Sequence, residues 1–541
     1  MQALKRVDKA LKVSHEGGTM PNVSSRFSNP DLDPVPENKR TWSAWDLSSY
    51  WMSDQFAPAT WDLSSTIIGF GLCAREAIPL SFLAFLVIGL VMVFNGRIGA
   101  QLHVSFPVIA RSSFGMYGAY LPVLVRSILA LLWLVILTYQ GGRITAVMIG
   151  AIWPSFLRLK NTLPEGLGIN TQEMIGFFVL FCFQAPLACV PVVRLKWFFA
   201  VKAWISAIGF LGLFIWALYV TKGQGQLLTG HVGYDPTLLP KGSKAWACLA
   251  SLNAVTGLYS TVSINIPDFA RFSRSPKSSW SQALAVPITG TIPIAVAILC
   301  AQAALTQKGA AVYDPASLCA LFDSRAARFF AAFSFFVSTI GVNISANSIS
   351  FATDCTSILP RYLSIFRCSV LAGGLCWLTC PWMIVTDAPS FYAFLSSYPT
   401  LLAPVATILG ADFYFVRKGK VDVRQLYEEN GIYAYKWGVN WRAIAAWACA
   451  FAPNSIGFAH AVDSSNPDAQ PFTYFIAWYV ASFVALCCYL ALSFAFPPRS
   501  SFVEEAVYEV SQLDYDQSAA TSTADKPADE DKEHISGVVP V

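Results

Sequence analysis

Charge is scarce in this 541-residue chain. Asp, Glu, Lys and Arg together make up 13% of it, where soluble domains carry about 25%. So few charges cannot cover the surface of a soluble fold of this length. Histidine is rarer still: there are five, with no pair at metal-ligand spacing inside the apolar stretches, so no metal site is expected. Of the 13 cysteines, Cys182, Cys189, Cys300, Cys376, Cys487 and Cys488 stand within apolar runs. There the residue behaves as a small hydrophobe, and no spacing suggests a disulfide framework or a zinc site. G-x-S-x-G, H-E-x-x-H and Walker A motifs are missing, and with them the local signatures of common hydrolases, metalloproteases and NTPases. A net charge of +4 is too small to argue for nucleic acid as a partner. The N-terminus lacks a short apolar core followed by a small-residue cleavage site, so no cleaved signal peptide is expected.

Apolar side chains are abundant instead. Hydrophobic residues are 55% of the chain and aromatics 14%, and the mean hydropathy is +0.49. That excludes disorder and indicates an all-α polytopic membrane protein, with the lipid bilayer in place of water around most of it. Twelve stretches of spanning length, about twenty residues each, run Trp45–Leu72, Ile78–Phe94, Tyr117–Trp153, Met174–Val190, Trp197–Thr221, Ala245–Asn265, Ala283–Ala304, Phe329–Ala352, Cys368–Val385, Phe391–Phe415, Trp441–Ala461 and Phe472–Phe496. No period-2 pattern appears, so these are expected to be helices, which satisfy their own backbone in lipid. The expected organisation is a polar, mostly disordered arm over 1–44, a twelve-helix domain over 45–496 and an acidic, solvated tail over 497–541. Loops after even-numbered stretches hold about fifteen basic residues, against about nine after odd-numbered ones, which predicts that both termini face the cytoplasm.

Polar residues concentrate in stretches 1, 3, 6 and 8. Stretch 1 carries Asp54, Gln55 and Thr60 around Pro58, and stretch 6 carries Gly257, Tyr259, Ser260 and Thr261 before Asn265 and Asp268. Proline at mid-membrane frees backbone groups that flanking polar atoms must satisfy. Interrupted spans at corresponding places point to an inverted repeat with a site at the midplane. In stretch 8, Thr339, Asn343 and Asn347 recur every four residues and Asp354 follows seven later, all near one face. A carboxamide donates and accepts, which suits the edge of a small heterocycle; the same stripe also reads as glue between helices. In stretch 3, Trp133 and Gln140 are seven apart and share a face: indole stacks on a planar ring and Gln orients it, or both are core. Tyr259 offers a second aromatic wall. Asp54 and Asp62 are ionisable residues in stretch 1; Gln55 is the more natural ligand contact. Asp268, beside Arg271 and Arg274, reads first as a salt-bridge partner.

These residues resemble a known family. The chain is similar, over roughly residues 29–500, to fungal members of the nucleobase–cation symporter-1 family, which contains uracil, allantoin and related permeases. The resemblance rests on Asn29-Pro-Asp-Leu-Asp-Pro-Val-Pro36 with Thr41-Trp42, on Phe106-Pro-Val-Ile-Ala-Arg-Ser-Ser-Phe-Gly115, on Asn265-Ile-Pro-Asp-Phe-Ala-Arg271 and on Asn343-Ile-Ser-Ala-Asn-Ser348. It implies two inverted five-helix repeats plus two peripheral helices, working by alternating access, and no enzymatic activity. It also implies that Trp133, Asn347 and Tyr259 hold the substrate. The family's Gln or Glu four residues after the Trp falls on Leu137 here, and Gln140 is the candidate to compensate. Sodium-coupled relatives place two hydroxyls where Gly341 and Val342 stand, so that site looks dismantled. The resemblance then favours a proton as coupling ion, with Asp354 as the leading carboxylate.

The expectation is a plasma-membrane proton symporter for uracil, allantoin, a purine or a similar planar heterocycle. A thiamine-like vitamin permease is the alternative within the family, and a non-transporting receptor the alternative outside it. No organic cofactor is expected. Fungal relatives are removed from the surface after ubiquitylation of tail lysines, so the resemblance implies the ubiquitylation machinery as a partner at Lys526 and Lys532. Arginine at both positions should then slow endocytosis, followed by microscopy of the tagged protein, without altering uptake; unchanged turnover would show the tail to be inert.

Overall fold

The computed structural model describes residues 26–230, 240–386, 397–462 and 471–509, together with Asp8 and 11–13. Among them the fold is helical, and its β structure is two isolated bridges, Trp42 with Ser273 and Asp422 with Val507. Among the described residues nine helical stretches are long and apolar enough to cross a membrane. Stretch 1 is two helices, α1 (Ala44–Gln55) and α2 (Pro58–Gly69). Next come α3 (Ala74–Leu102), a short α4 (Phe106–Phe114), α5 (Tyr120–Ile152), α6 (Thr171–Ala188) and α7 (Val192–Thr221). Stretch 6 is split into α8 (Lys244–Leu258) and α9 (Ser260–Ala270), and α10 (Gln282–Lys308) and a short α11 (Pro315–Ala320) follow. Stretch 8 is α12 (Arg325–Val342), a π-helical segment Asn343–Ser348 and α13 (Ile349–Ile358). The rest is α14 (Ile365–Leu378), α15 (Pro381–Thr386), α16 (Pro399–Ala411), α17 (Trp441–Phe451), α18 (Ser455–Val462) and α19 (Ala477–Ala495). Stretches 1, 9 and 11 are therefore shorter or broken pieces, and part of stretch 10 lies outside the described residues.

Packing sorts the helices into two groups. In the first, α1, α2, α3, α9 and α10 lie against one another; in the second, α5 packs on α6, α12 and α13, with α14 alongside. Helix α7 touches both groups, through α10 and α12, and α16 packs with α17 and α19. The break in stretch 1 follows from Pro58. It stands at the first position of α2, where its missing N–H costs nothing, and it drives Ala57 into an extended conformation (φ −146°, ψ 157°).

The N-terminal arm departs from its expected disorder. Over 26–43 it is packed, with Phe27, Leu32, Val35 and Trp42 all buried. It lacks helical periodicity because its partners are distant. Asn29 Nδ2 donates to the carbonyls of Pro360 (2.7 Å) and Leu363 (2.9 Å). Val35 N–H donates to His103 O (2.9 Å), Arg271 to Asp31 O (2.9 Å) and Tyr427 to Leu32 O (2.8 Å). The arm thus ties together the loops after α3, α9 and α13. The start of the tail is also packed: Val507 pairs with Val421 and Val423, and Glu509 forms an ion pair with Arg40 at 2.7 Å. Lys526 and Lys532 lie outside the described residues. Asn29→Ala removes both donors of a buried carboxamide and should destabilise the protein by about 1–3 kcal/mol, read as a lower melting temperature in detergent; an unchanged midpoint would show that the arm adds nothing.

Candidate functional site

The two helix breaks and the π-helical segment converge on one small buried cavity of ≈ 40 Å³. The first helix group supplies Asp54, Ala57, Ala59 and Thr60 from stretch 1 and Leu258, Tyr259, Thr261 and Val262 from stretch 6. The second supplies Trp133 and Leu137 from α5, and Val342, Ala346 and Asn347 from stretch 8. Trp133, Tyr259 and Asn347, expected together from the sequence, therefore meet here. A larger cavity (≈ 450 Å³) between α7 and α12 is lined by apolar side chains such as Ile208, Trp216 and Phe330; those side chains suit lipid rather than a polar solute.

Each wall is fixed from behind. The Tyr259 hydroxyl shares a 2.6 Å hydrogen bond with Thr60 Oγ1, across the two breaks, and its ring meets Phe85 edge-on at 5.2 Å. Trp133 packs edge-on against Tyr398. Asn347 Nδ2 donates to Asn343 Oδ1 (3.0 Å). Asn343 in turn donates to Thr138 Oγ1 (3.1 Å) and Gln184 Oε1 (2.8 Å). Asn343 is thus not a wall of the cavity; it orients Asn347, whose remaining amide hydrogen and carbonyl are left for a ligand. Asp54 accepts from Ser345 Oγ at 2.9 Å.

Two expected contacts lie elsewhere. Gln140 donates to Asp62 at 3.2 Å, beside Arg143, which binds Glu173 and Asp314. It does not replace the missing polar group at Leu137: it stands about two turns beyond Trp133 along α5, and its amide is bonded to Asp62 rather than lining the cavity. Gln55 accepts from the Thr289 hydroxyl and faces α10.

Asp354 is also away from the cavity. It shares the face of Asn343, towards α5, but lies about 10 Å further along the axis than Asn347. Arg126 of α5 grips it through Nε (2.7 Å) and Nη2, and the same Nη2 is 3.0 Å from Asp268. Asp268 accepts the Phe106 N–H at 2.8 Å. All three side chains are fully buried. Asp354, expected from the sequence as the leading coupling carboxylate, is thus held by an arginine inside a membrane span.

Lys202 was not anticipated. It stands in α7, fully buried, and its Nζ has no hydrogen-bond partner among the described residues. A Cβ on Gly341 would lie 2.5 Å from its Cδ and 2.9 Å from its Nζ, so glycine is what admits it. Helix α7 packs against α1, which carries Asp54, the carboxylate whose field acts on Lys202. Next to Gly341, Ser338 donates its hydroxyl to the Phe56 carbonyl released by the break. The signal in the sequence was a lone cation inside an apolar run.

The chain resembles known proteins over most of its length. Residues 34–481 match the family model described as permease for cytosine/purines, uracil, thiamine, allantoin. A uracil permease of Saccharomyces cerevisiae is 30% identical over 88% of this chain and 77% of its own. An allantoin permease of the same yeast is 30% identical over 90% and 79%, and a thiamine transporter 28% identical over 81% and 74%. Among solved structures, Mhp1, a nucleobase-cation-symport-1 family transporter, in a closed conformation with bromovinylhydantoin bound, superposes with a TM-score of 0.69 at 17% identity, covering 88% of this chain and 98% of that one.

If this cavity binds the ligand, Asn347→Ala should weaken binding by about 1–3 kcal/mol and Trp133→Ala should abolish it, with Trp133→Phe keeping part through its π-face. Gln140→Ala should leave affinity unchanged. Ligand binding to membranes measures all four, and a loss confined to Gln140→Ala would move the site outward.

Proposed function

The chain belongs to the family of permeases for cytosine/purines, uracil, thiamine and allantoin, and on that premise we propose that it is a plasma-membrane proton symporter importing a nucleobase-type planar heterocycle. It is a multi-pass membrane transporter and not an enzyme. The observation that carries the substrate reading is the meeting of Trp133, Tyr259 and Asn347 at one cavity between two helix groups. Two aromatic faces stack a ring, and a half-used carboxamide reads its polar edge. Leu137 makes the α5 side of that cavity apolar below the indole, which suits the C5–C6 edge of a pyrimidine such as uracil. A ureide such as allantoin would leave polar atoms unpaired there. Both termini are assigned to the cytoplasm.

For the coupling ion, the support comes from Lys202. An ammonium group against Gly341, beside the stretch-1 break, occupies the place where a cation between that break and α12 would sit, and like charges exclude one another at such range. Ser338 and the Phe56 carbonyl are already bonded to each other, which takes two oxygens from any sodium cage. A proton exchanged on the Asp54–Lys202 pair changes the charge at the wall of the substrate cavity itself. Asp354, held by Arg126, is assigned a structural role instead: a buried pair broken on one side costs about 3–5 kcal/mol.

In a transporter-null yeast, a panel of labelled uracil, allantoin, uridine and thiamine should show uracil as the best substrate. Its uptake should rise as external pH falls, collapse with a protonophore and ignore replacement of sodium by choline. Lys202→Gln should flatten the pH dependence, whereas Asp354→Asn should lower the amount of folded protein. Uptake that needs sodium and survives the protonophore would overturn the coupling assignment.

A further inference from the structure

Splitting stretch 6 leaves the last carbonyls of α8 without intrahelical partners, and in a bilayer core no water replaces them. No proline produces this break. Helix α8 ends at Tyr259 (φ −90°, ψ 5°), whose N–H turns back to Gly257 O. The released carbonyls of Gly257 and Leu258 both face one donor, the hydroxyl of Tyr398, at 3.0 and 2.9 Å. Tyr398 is fully enclosed (2% exposed) and immediately precedes α16. Its neighbour Pro399 closes the same contact, since a Cβ on Gly257 would stand 2.8 Å from Pro399 Cγ.

The ring of the same tyrosine meets Trp133 at 6.4 Å and 80°. Tyr398 does not line the cavity. It nevertheless touches the backbone that aims Tyr259, in the first helix group, and the side chain of Trp133, in the second.

We infer that Tyr398 is a positioning residue of the transport site, whose hydroxyl holds the break in stretch 6 and also engages the Trp133 side chain against which its ring packs, so that one residue sets the separation of the two aromatic walls. The inference rests on the cavity being the substrate site, as argued above. It assigns the specificity of the site partly to α16, an element that contributes no wall. Loss of the hydroxyl alone leaves the Leu258 carbonyl to find another partner and Gly257 O with only the Tyr259 N–H, and the break relaxes with Tyr259 on it.

The test uses the full chain in yeast membranes and, as probe, the labelled member of the panel (uracil, allantoin, uridine or thiamine) that the parent protein takes up. Tyr398→Phe keeps the ring and removes the hydroxyl. Its Kd for the probe should rise about three- to tenfold, the worth of one hydrogen bond, with maximal uptake per surface molecule little changed. Tyr259→Leu should raise Kd as well. Combined with it, Tyr398→Phe should cost less than it does alone, because the part of the hydroxyl's effect that passes through Tyr259 is already removed while its hold on Trp133 is still lost. Pro399→Ala, which loosens the packing and leaves the hydroxyl in place, should retain the parent Kd.

An unchanged Kd in Tyr398→Phe, a full multiplicative loss in the double variant, or an equal loss in Pro399→Ala would each overturn the inference. Binding in total membranes reads Kd even from a variant that reaches the surface poorly. If Tyr259→Leu, Trp133→Phe and Asn347→Ala all keep the parent Kd, the cavity itself is not the site, and that failure is distinct from a Tyr398→Phe variant that binds normally while the wall variants do not.

Discussion

A backbone amide or carbonyl released inside a bilayer must find its partner within the protein, and the site is arranged around two places where this happens. At Phe56–Ala57 the released carbonyl of Phe56 takes the Ser338 hydroxyl, and Ala57 N–H turns to Gln55 O at 2.9 Å. At Gly257–Tyr259 the carbonyls take the Tyr398 hydroxyl. In each case the carbonyls' side-chain partner comes from outside the broken helix. The irregular backbone that makes room for a ligand is therefore also what binds the two helix groups to their neighbours. The Thr60–Tyr259 bond then joins one break to the other.

Buried charge follows the same logic at a higher cost. Arg126 on α5 bridges Asp354 on its own side to Asp268 on α9, and the aromatic face of Phe106 lies 4.2 Å from its guanidinium. Lys202 stands on α7, which packs against the α1 that carries Asp54. The Arg126 cluster crosses between the helix groups about two turns beyond the cavity along stretch 8, and Lys202 lies on the helix that touches both groups. The difference lies in satisfaction. Arg126 is held by direct bonds to Asp354, which suits a fixed joint, whereas Lys202 makes no hydrogen bond among the described residues.

How much of this the sequence discloses depends on whether the cause is local. Pro58 announces the first break, and the fourfold spacing of Asn343 and Asn347 announces a polar face towards α5, which Asn343 and Asp354 both obey. Trp133, Tyr259 and Asn347 were legible as a set. The division of labour between Asn343 and Asn347 was not, because it turns on the π-helical widening over 343–348. Gln140 and Gln55 were misplaced for a related reason: their faces are right, but height along the axis and the neighbour opposite are tertiary facts. The arm over 26–43 has no period at all, since its backbone bonds reach loops hundreds of residues away. Lys202 and Arg126 carry no motif. Only their charge within an apolar run marks them, and which carboxylate faces each one is decided by packing.

The placement of the walls has a consequence for the cycle. Trp133 and Asn347 belong to one helix group and Tyr259 to the other, so on the proposed reading a ring seated between them adds contact across the interface that opens and closes. A ligand shifts such an equilibrium only by its differential affinity for the two arrangements, and stacking on both walls at once exists only when they are close. The Asp54–Lys202 pair spans the same interface, with Asp54 lining the cavity and Lys202 against Gly341. On the reading proposed here, heterocycle and proton therefore bias one and the same closure. Coupling then needs no relay between distant sites: it is the reciprocal effect of two ligands on a single interface, and the apolar Leu137 beside it decides which rings are allowed to contribute.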